Sequence, residues 1–159
     1  TDVIMRVRGD IDDATPSATA QIVEAIARLA SATGDADLAG RAFDCAASAV
    51  GRALHQHYGQ SGIVNTIPLV TAPRKLVLVE SGGKALFVPE ANRISDPRRV
   101  DIIVPTAGAV GKVTLPGGVE IDPARPAASR CIGMTCLPPM DDALALREAL
   151  KAAAAFPAP

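Results

Sequence analysis

The stretch Lys75–Pro89, KLVLVESGGKALFVP, contains two short apolar runs that are separated by a Gly-Gly pair. Glycine adopts positive φ without a steric penalty, and Gly-Gly between apolar runs is typical of a tight hairpin turn. The sequence therefore predicts a two-stranded hairpin in which Leu78 faces Phe87 and Val79 faces Leu86.

The first of these runs, Leu76–Val79, is apolar at every position and does not alternate with polar residues. A strand that is apolar on both faces needs cover on both faces. Only three helices are predicted, and two of them are expected to pack on each other. We therefore expect one face of the sheet to be left for a partner, because large uncovered apolar surfaces usually mark association sites.

Composition limits the possible classes of protein. The chain has 159 residues, of which 48% are hydrophobic, so residues 1–159 are expected to form a single domain with a sizeable core. The net charge of −1 and the low aromatic content argue against a nucleic-acid partner. No apolar run approaches the roughly 20 residues that a membrane-spanning helix needs, so no membrane partner is expected.

Cysteine content and the N-terminal sequence bear on localisation. The chain has three cysteines, and its first ten residues, TDVIMRVRGD, lack the apolar region of a signal peptide. We therefore expect a protein that is not secreted through a signal peptide. A reduced cytoplasmic location, or a place within an assembled particle, fits better than a disulfide framework.

The N-terminal part is predicted to be helical over about 15–58. Thr15-Pro16 is typical of a helix start, and Gly34 of a helix end. A second helix is expected to begin at Asp35 or Asp37 and to run to about Tyr58. Its alanine-rich face predicts close packing in an antiparallel helical hairpin.

The following part, about 63–122, is predicted to be β-rich and largely antiparallel. A further strand is expected earlier, at Val3–Val7. Residues 123–139 are predicted to be irregular, and residues 141–155 to form a C-terminal helix. Helices first, then a run of strands and one final helix predict an α+β fold. The candidate strands of the β-rich part are Ile63–Val70, Lys75–Glu80, Lys84–Val88, Val100–Val104, Gly111–Leu115 and Val119–Asp122, with a second hairpin turn at Pro116–Gly118.

Several arginines lie in predicted loops around the sheet. Arginine binds carboxylates and phosphates through two parallel hydrogen bonds, so these residues could form a pocket for an anionic ligand. They could equally form an interface rim against acidic loops of another copy, or a solvated surface. The candidates are Arg93, Arg98, Arg99, Arg125 and Arg130.

Two histidines and two cysteines form a chemically possible zinc set, namely His55, His57, Cys131 and Cys136. The spacing is not a known signature, and histidines two positions apart on a helix point about 200° apart. As an alternative, Cys131 or Cys136 could be a nucleophile with His57 as its base. Cys45 is predicted to lie in the core. No cofactor is expected.

Three weaker patterns predict no site. Residues 108–113 resemble part of a phosphate loop but lack its first glycine and its final hydroxyl residue. Residues 81–84 offer a serine and a lysine without a third, orienting group. Residues 10–13 are acidic but lack the spacing of a calcium loop, so a solvated turn before a helix is expected.

Together these features predict a structural or assembly subunit of a homo-oligomeric particle, such as a component of a phage-like virion or a protein shell. Its partners would be copies of itself and other structural proteins, and its mechanism would be burial of sheet and loop surface between copies. The alternative is a small enzyme or ligand-binding domain with a Cys/His/Arg site near residues 131–136.

Overall fold

The computed structural model describes residues 9–55, 58–80, 83–104, 111–115, 119–133 and 135–154. The chain divides into two compact units, Thr1–Ala72 and Pro73–Pro159. The α+β class is confirmed, with helices first, then short strands and a final helix. The strand predicted at Val3–Val7 lies outside the described residues.

The first unit contains helices α1 (Ala18–Thr33), α2 (Ala36–Ala53) and α3 (Ser61–Thr71). The side chain of Ser17 caps α1, so this helix begins slightly later than Thr15-Pro16 indicated. Gly34 ends α1 with a φ of 72°, and Asp35 caps α2, as predicted. The α2 helix ends at Ala53 rather than near Tyr58.

The core of this unit is built largely from alanine. The buried positions of α2 are Ala42, Ala46, Ala49 and Ala53. Cys45 lies beside this stripe and is exposed, so its predicted core position is wrong. The α1 helix buries Ala20, Val23, Ala27 and Ala30, while the larger Ile22 and Leu29 remain exposed.

The α3 helix occupies the segment for which the sequence predicted a strand. Ile63, Thr66 and Leu69 are its buried positions, and they recur at helical spacing. Ile63 packs with Val23 of α1 and Ala49 of α2, so the helix completes a three-helix core. The prediction of a strand over Ile63–Val70 is therefore wrong.

The second unit contains two sheets and two helices. A four-stranded sheet has the order β2-β1-β5-β6, in which β1 and β2 are parallel while the β1–β5 and β5–β6 pairs are antiparallel. Strands β3 and β4 form a separate antiparallel pair. The elements in chain order are β1 (Arg74–Val79), α4 (Val88–Asn92), β2 (Arg99–Val104), β3 (Val113–Leu115), β4 (Val119–Ile121), β5 (Ala127–Ile132), β6 (Thr135–Cys136) and α5 (Ala143–Ala154).

Strand β1 is buried on both faces, as its uninterrupted apolar run predicted. Leu76 and Leu78 pack in one cluster with residues of α4, β5 and α5, including Phe87, which precedes α4. Val77 and Val79 pack on the other side with residues of β2 and β4. Both faces of this strand are thus covered by the chain itself, which removes the uncovered face that the sequence led us to expect.

The predicted hairpin at Gly82–Gly83 is wrong. Strand β1 pairs with β2 on one edge and with β5 on the other, so Leu78 lies opposite Ile103 and Ala128 instead of Phe87. Val79 likewise lies opposite Val104 and Ala127 rather than Leu86. The segment predicted as a strand at Lys84–Val88 leads into α4 instead.

The remaining strands follow the prediction in part. Strands β3 and β4 pair around the predicted Pro116–Gly118 turn, whose residues lie outside the described ones. The prediction that residues 123–139 are irregular is wrong for β5 and β6, which lie in that segment. Within the described ranges, no helix combines the length and apolarity needed to cross a bilayer.

Candidate functional site

A cleft of about 690 Å³ lies beside α4 and α5 in the second unit. Three of its lining side chains are cationic, one carries a hydroxyl and one is apolar. They are Arg93, Ile94, Ser95, Arg147 and Lys151. The cleft is open to solvent rather than enclosed. Its three cations make it the candidate functional site of this unit.

Glu90 of α4 organises two of the cations. Arg147 donates a hydrogen bond from Nε to Oε2 of Glu90, and Nε of Arg93 lies 3.6 Å from Oε1. The hydrogen bond from Arg147 holds the pKa of Glu90 below its ordinary value, and Glu90 in turn raises the pKa of Arg147. Both groups are therefore charged at neutral pH, and the Arg147 guanidinium is held through its Nε edge.

Buried ion pairs fix the loop that carries Ile94 and Ser95. Arg74 Nη1 lies 2.7 Å from Asp96 Oδ2, and Arg98 Nε lies 3.0 Å from Asp96 Oδ1. Burial alone would raise the pKa of Asp96, but hydrogen bonds from Arg98 and Arg74 outweigh it, and the pKa lies below its ordinary value. This carboxylate therefore stays charged and anchors one wall of the cleft.

Arg99 fixes the same loop from its other end. Its Nη2 donates to the carbonyl oxygen of Ala91 at 2.8 Å, and its Nη1 donates to that of Ile94 at 2.8 Å. Its Nε and Nη2 also bond to the carboxylate of Asp101. Arg99 therefore caps the end of α4 and has no part in the cleft lining described above.

Arg74 and Arg130 hold the last turns of α5. Arg74 Nη1 donates to the carbonyl oxygen of Ala153 at 2.5 Å, and Arg130 Nη1 donates to that of Ala149 at 2.7 Å. Cations are favourable at the C-terminal end of a helix, where the carbonyl groups lack intrahelical partners. The Nε of Arg130 is buried without a hydrogen-bond partner among the described residues.

The predicted arginines thus divide by role. Arg93 lies in the cleft, whereas Arg98, Arg99 and Arg130 bind backbone carbonyls of the same unit. Arg125 is largely exposed, with its Nε 3.9 Å from Asp122. Sequence reasoning missed Arg147 and Lys151, although their spacing of four places them on one side of α5.

The predicted Cys/His site does not assemble as proposed. Cys131 and Cys136 are joined by a disulfide between β5 and β6, so neither is a thiolate nucleophile or a zinc ligand in this state. His55 is exposed just beyond α2, and His57 lies outside the described residues. No group of three or more potential metal-ligating His, Cys, Asp or Glu side chains occurs in the part of the chain that the structure describes.

The acidic turn before α1 has a structural role. Asp12 accepts hydrogen bonds from the N–H of Ser17 at 2.8 Å and the N–H of Gly62 at 2.5 Å, at the starts of α1 and α3. These bonds lower the pKa of Asp12, and the bond from Gly62 has the largest effect. Asp10 bonds to Arg52 at 2.7 Å. The turn ahead of a helix is as predicted, but the carboxylates of Asp10 and Asp12 form hydrogen bonds within the unit.

Comparison with known proteins adds no functional information. No protein-family model matches the chain, and no curated protein shows significant sequence similarity to it.

Proposed function

We propose that the Pro73–Pro159 unit binds a small anionic ligand in the cleft lined by α5 and by the loop that follows α4. The observation that carries the proposal is the convergence of three cations, Arg93, Arg147 and Lys151, on one cleft of ligand size. Cationic side chains that line a concave surface attract anions and orient them by hydrogen bonding. This function develops the ligand-binding alternative and moves its site from residues 131–136 to the cleft.

The three cations are suited to different parts of this task. Arg147 is held by Glu90 through Nε, which leaves its two terminal nitrogens to bond with a ligand. Arg93 has a side chain that is 66% exposed, so it can adjust to an incoming anion. Lys151 contributes a point charge one turn further along α5.

The rigidity of the surrounding backbone supports the proposal. The loop and the α5 turns that carry the lining residues are fixed by Asp96 and by arginines that bind backbone carbonyls. Ligand sites are usually largely preformed, because ordering a loop on binding reduces affinity. The arginines outside the cleft thus act on the site by positioning it.

The test is a titration of the full-length chain with inorganic phosphate at constant ionic strength, followed by amide NMR. We expect shifts that saturate at residues 93–95 and 147–151, and a weaker affinity for Arg93→Gln. Arg125→Gln is the matched control, because it removes the same charge from an 87% exposed side chain elsewhere in the unit. Equal losses in both variants would overturn the proposal, and so would a lack of saturable shifts with inorganic phosphate and with phenyl phosphate alike.

A second candidate function is the assembly role, now supported by the helical unit rather than by the sheet. Ile22 and Leu29 of α1 and Phe43 of α2 are each about half exposed, although all three are large and apolar. In an assembly, these side chains would be buried between copies of the chain. This candidate ranks second because β1 is covered on both faces.

Solution mass decides this second candidate. Light scattering at micromolar concentration should give a multiple of the 16.3 kDa chain mass if the chain assembles. Replacing Ile22 and Leu29 with serine should then return the mass to that of one chain, whereas Leu144→Ser in the other unit should not. A monomeric wild-type chain would exclude the assembly role under those conditions.

A further inference from the structure

We infer that the ligand of the cleft is a phosphate monoester of an apolar group, rather than a carboxylate or free phosphate. The inference rests on the proposed function and specifies its ligand class. It follows from the number and chemistry of the donors that line the cleft, and from the apolar residue beside them.

Arg147 has two terminal nitrogens that can bind a ligand. Its Nε bonds to Glu90, so Nη1 and Nη2 form the part of the guanidinium that can bond with a ligand. Such a pair of nitrogens matches two oxygens of one anion through parallel hydrogen bonds. A carboxylate has two oxygens with about four acceptor sites, and this one side chain would take two of them.

The cleft contains further hydrogen-bond donors besides Arg147. Arg93, Lys151 and Ser95 line the same cleft, so three further donors would share the two acceptor sites that remain on a carboxylate. A phosphate monoester has three terminal oxygens and carries a charge of about −1.5 to −2 at pH 7. Its third oxygen and its second charge therefore suit this number of cationic and hydroxyl donors better than a carboxylate does.

The carboxylates near the cleft do not cancel this preference. Glu90 is shared between Arg147 and Arg93, and its contact with Arg93 is long at 3.6 Å. Glu148 pairs with Lys151 on an exposed part of α5 at 2.8 Å, and exposed pairs of this kind are weak. A dianion can therefore compete with Glu148 for the ammonium group.

An apolar residue beside the cations favours an organic group on the ligand. Ile94 lines the cleft and is half-buried against the apolar cluster that contains Phe87 and Leu146. An apolar group attached to the phosphate can lie on this side chain and remove apolar surface from water. The combination favours an ester over inorganic phosphate.

The test is calorimetric titration of the full-length chain with phenyl phosphate, benzoate and inorganic phosphate at pH 7.5 and constant ionic strength. Phenyl phosphate and benzoate share a ring and differ in the anion. We expect phenyl phosphate to bind at least about tenfold more tightly than benzoate, which corresponds to about one charge-assisted hydrogen bond. It should also bind at least about tenfold more tightly than inorganic phosphate, because its ring removes apolar surface from water. Benzoate or inorganic phosphate that binds as tightly as phenyl phosphate would overturn the inference.

Variants separate the role of the arginine fork from that of charge. Arg147→Lys keeps the cation beside Glu90 but loses the paired nitrogens, so it should weaken phenyl phosphate about tenfold and benzoate by a similar factor. Arg93→Gln should weaken phenyl phosphate more than benzoate, because the phosphate has a third oxygen and a second charge for Arg93. Arg125→Lys should change neither affinity. An Arg93→Gln variant that weakens both ligands equally would contradict the oxygen count.

Three outcomes identify failures at different levels. If none of the three anions binds, the proposed function fails together with this inference. If all three bind with similar affinity, the anion site stands and only the ligand class is wrong. Binding to vesicles that contain phosphatidic acid, without binding of phenyl phosphate, would place the phosphate monoester in a lipid surface and would overturn the small soluble ligand of the proposed function.

Discussion

The carboxylate of Glu80 accepts a hydrogen bond from the backbone N–H of Phe87 at 2.7 Å. The same carboxylate also accepts the N–H groups of Leu86 and Val88, each at 2.7 Å. Glu80 directly follows β1, and Val88 begins α4, so one side chain joins the end of the strand to the start of the helix. It thereby pairs amides that have no carbonyl partner at a helix start.

Replacing Glu80 should therefore destabilise the second unit. We expect Glu80→Ala to lower the free energy of unfolding by about 2–4 kcal/mol, because hydrogen bonds to a charged group are worth about 1.5–3 kcal/mol each and are not additive. Glu80→Gln keeps one acceptor oxygen and should lose less. Urea-induced unfolding followed by circular dichroism measures both.

Glu120→Ala is the control for this prediction. Glu120 is exposed, and its contact with Lys112 is long at 3.4 Å, so its loss should change the free energy of unfolding by less than about 0.5 kcal/mol. If Glu80→Ala were as stable as Glu120→Ala, the carboxylate would not be holding the start of α4.

The Glu80 contact also explains why the predicted hairpin does not form. The Gly-Gly signal is local, whereas the partners of β1 are β2 and β5, which lie about 20 and 50 residues further along the chain. The edges of β1 are occupied by these strands, and the amides of the second apolar run are bonded by Glu80. For β1, the position of the strand and its burial on both faces were predictable from the sequence, but its partner strands were not.

The α3 helix shows a different limit of sequence reasoning. Its β-branched residues favoured a strand, and Pro68 lies within the helix, where it removes one backbone hydrogen bond. Packing of Ile63, Thr66 and Leu69 outweighs these preferences. The helical spacing of those three residues was the available signal, but a short, mostly apolar segment such as Ile63–Val70 is ambiguous without knowledge of its neighbours.

The candidate site was predictable only in part for the same reason. The sequence shows that the loop around Arg93 is rich in arginine. It does not show which arginines bind backbone carbonyls, because that depends on where α5 ends in the fold. Arg130 and Ala149 are 19 positions apart in the chain, and Arg74 and Ala153 are 79 apart. No local pattern contains those pairings.

The two-faced burial of β1 gives a second prediction. Leu78 is 1% exposed and packs in the cluster with Phe87 and Leu146, so Leu78→Ala should cost about 2–5 kcal/mol of unfolding free energy. Leu144→Ala on α5 is the matched control, because Leu144 is 61% exposed and its truncation should cost less than about 0.5 kcal/mol. Urea midpoints compare the two variants. Similar midpoints would mean that α4 and α5 do not cover this face.

Asp12 gives a third prediction, which concerns pH. Its carboxylate caps the starts of α1 and α3, and Asp12→Asn should lower the free energy of unfolding at pH 7 by about 1–2 kcal/mol. The folded-state pKa lies below the ordinary value of 3.8, so the carboxylate binds protons more readily in the unfolded chain. Its stabilising effect is therefore complete above about pH 5 and is lost as pH falls through the folded-state pKa.

The measurement for Asp12 is the difference in unfolding free energy between the wild type and Asp12→Asn from pH 7 to pH 2. Taking the difference removes the acid sensitivity that Glu90 and Asp96 contribute through their own lowered pKa values. Asp13→Asn is the control, since Asp13 is exposed in the same turn. A difference that stays constant down to pH 2 would show that the charge of Asp12 does not stabilise the helix starts.

The disulfide gives the fourth prediction. Cys131 and Cys136 lie directly opposite each other in the β5–β6 pair and are bonded, whereas Cys45 is a free, exposed thiol. Thiol titration of the denatured, unreduced chain should therefore find one thiol, and titration after reduction should find all three cysteines of the sequence. Reduction should also lower the free energy of unfolding by about 2 kcal/mol, because the bond closes a short loop that limits the unfolded chain.

Cys45→Ser separates the two kinds of cysteine in this experiment. It should remove the thiol of the unreduced chain and leave the stabilising effect of the disulfide unchanged, because Cys45 lies outside the core of its unit. The Cys131→Ser/Cys136→Ser double variant should lose the same stability as reduction does. If the unreduced wild-type chain titrated three thiols, β5 and β6 would be held by their backbone pairing alone, and the thiols of Cys131 and Cys136 would again be available as nucleophiles or metal ligands.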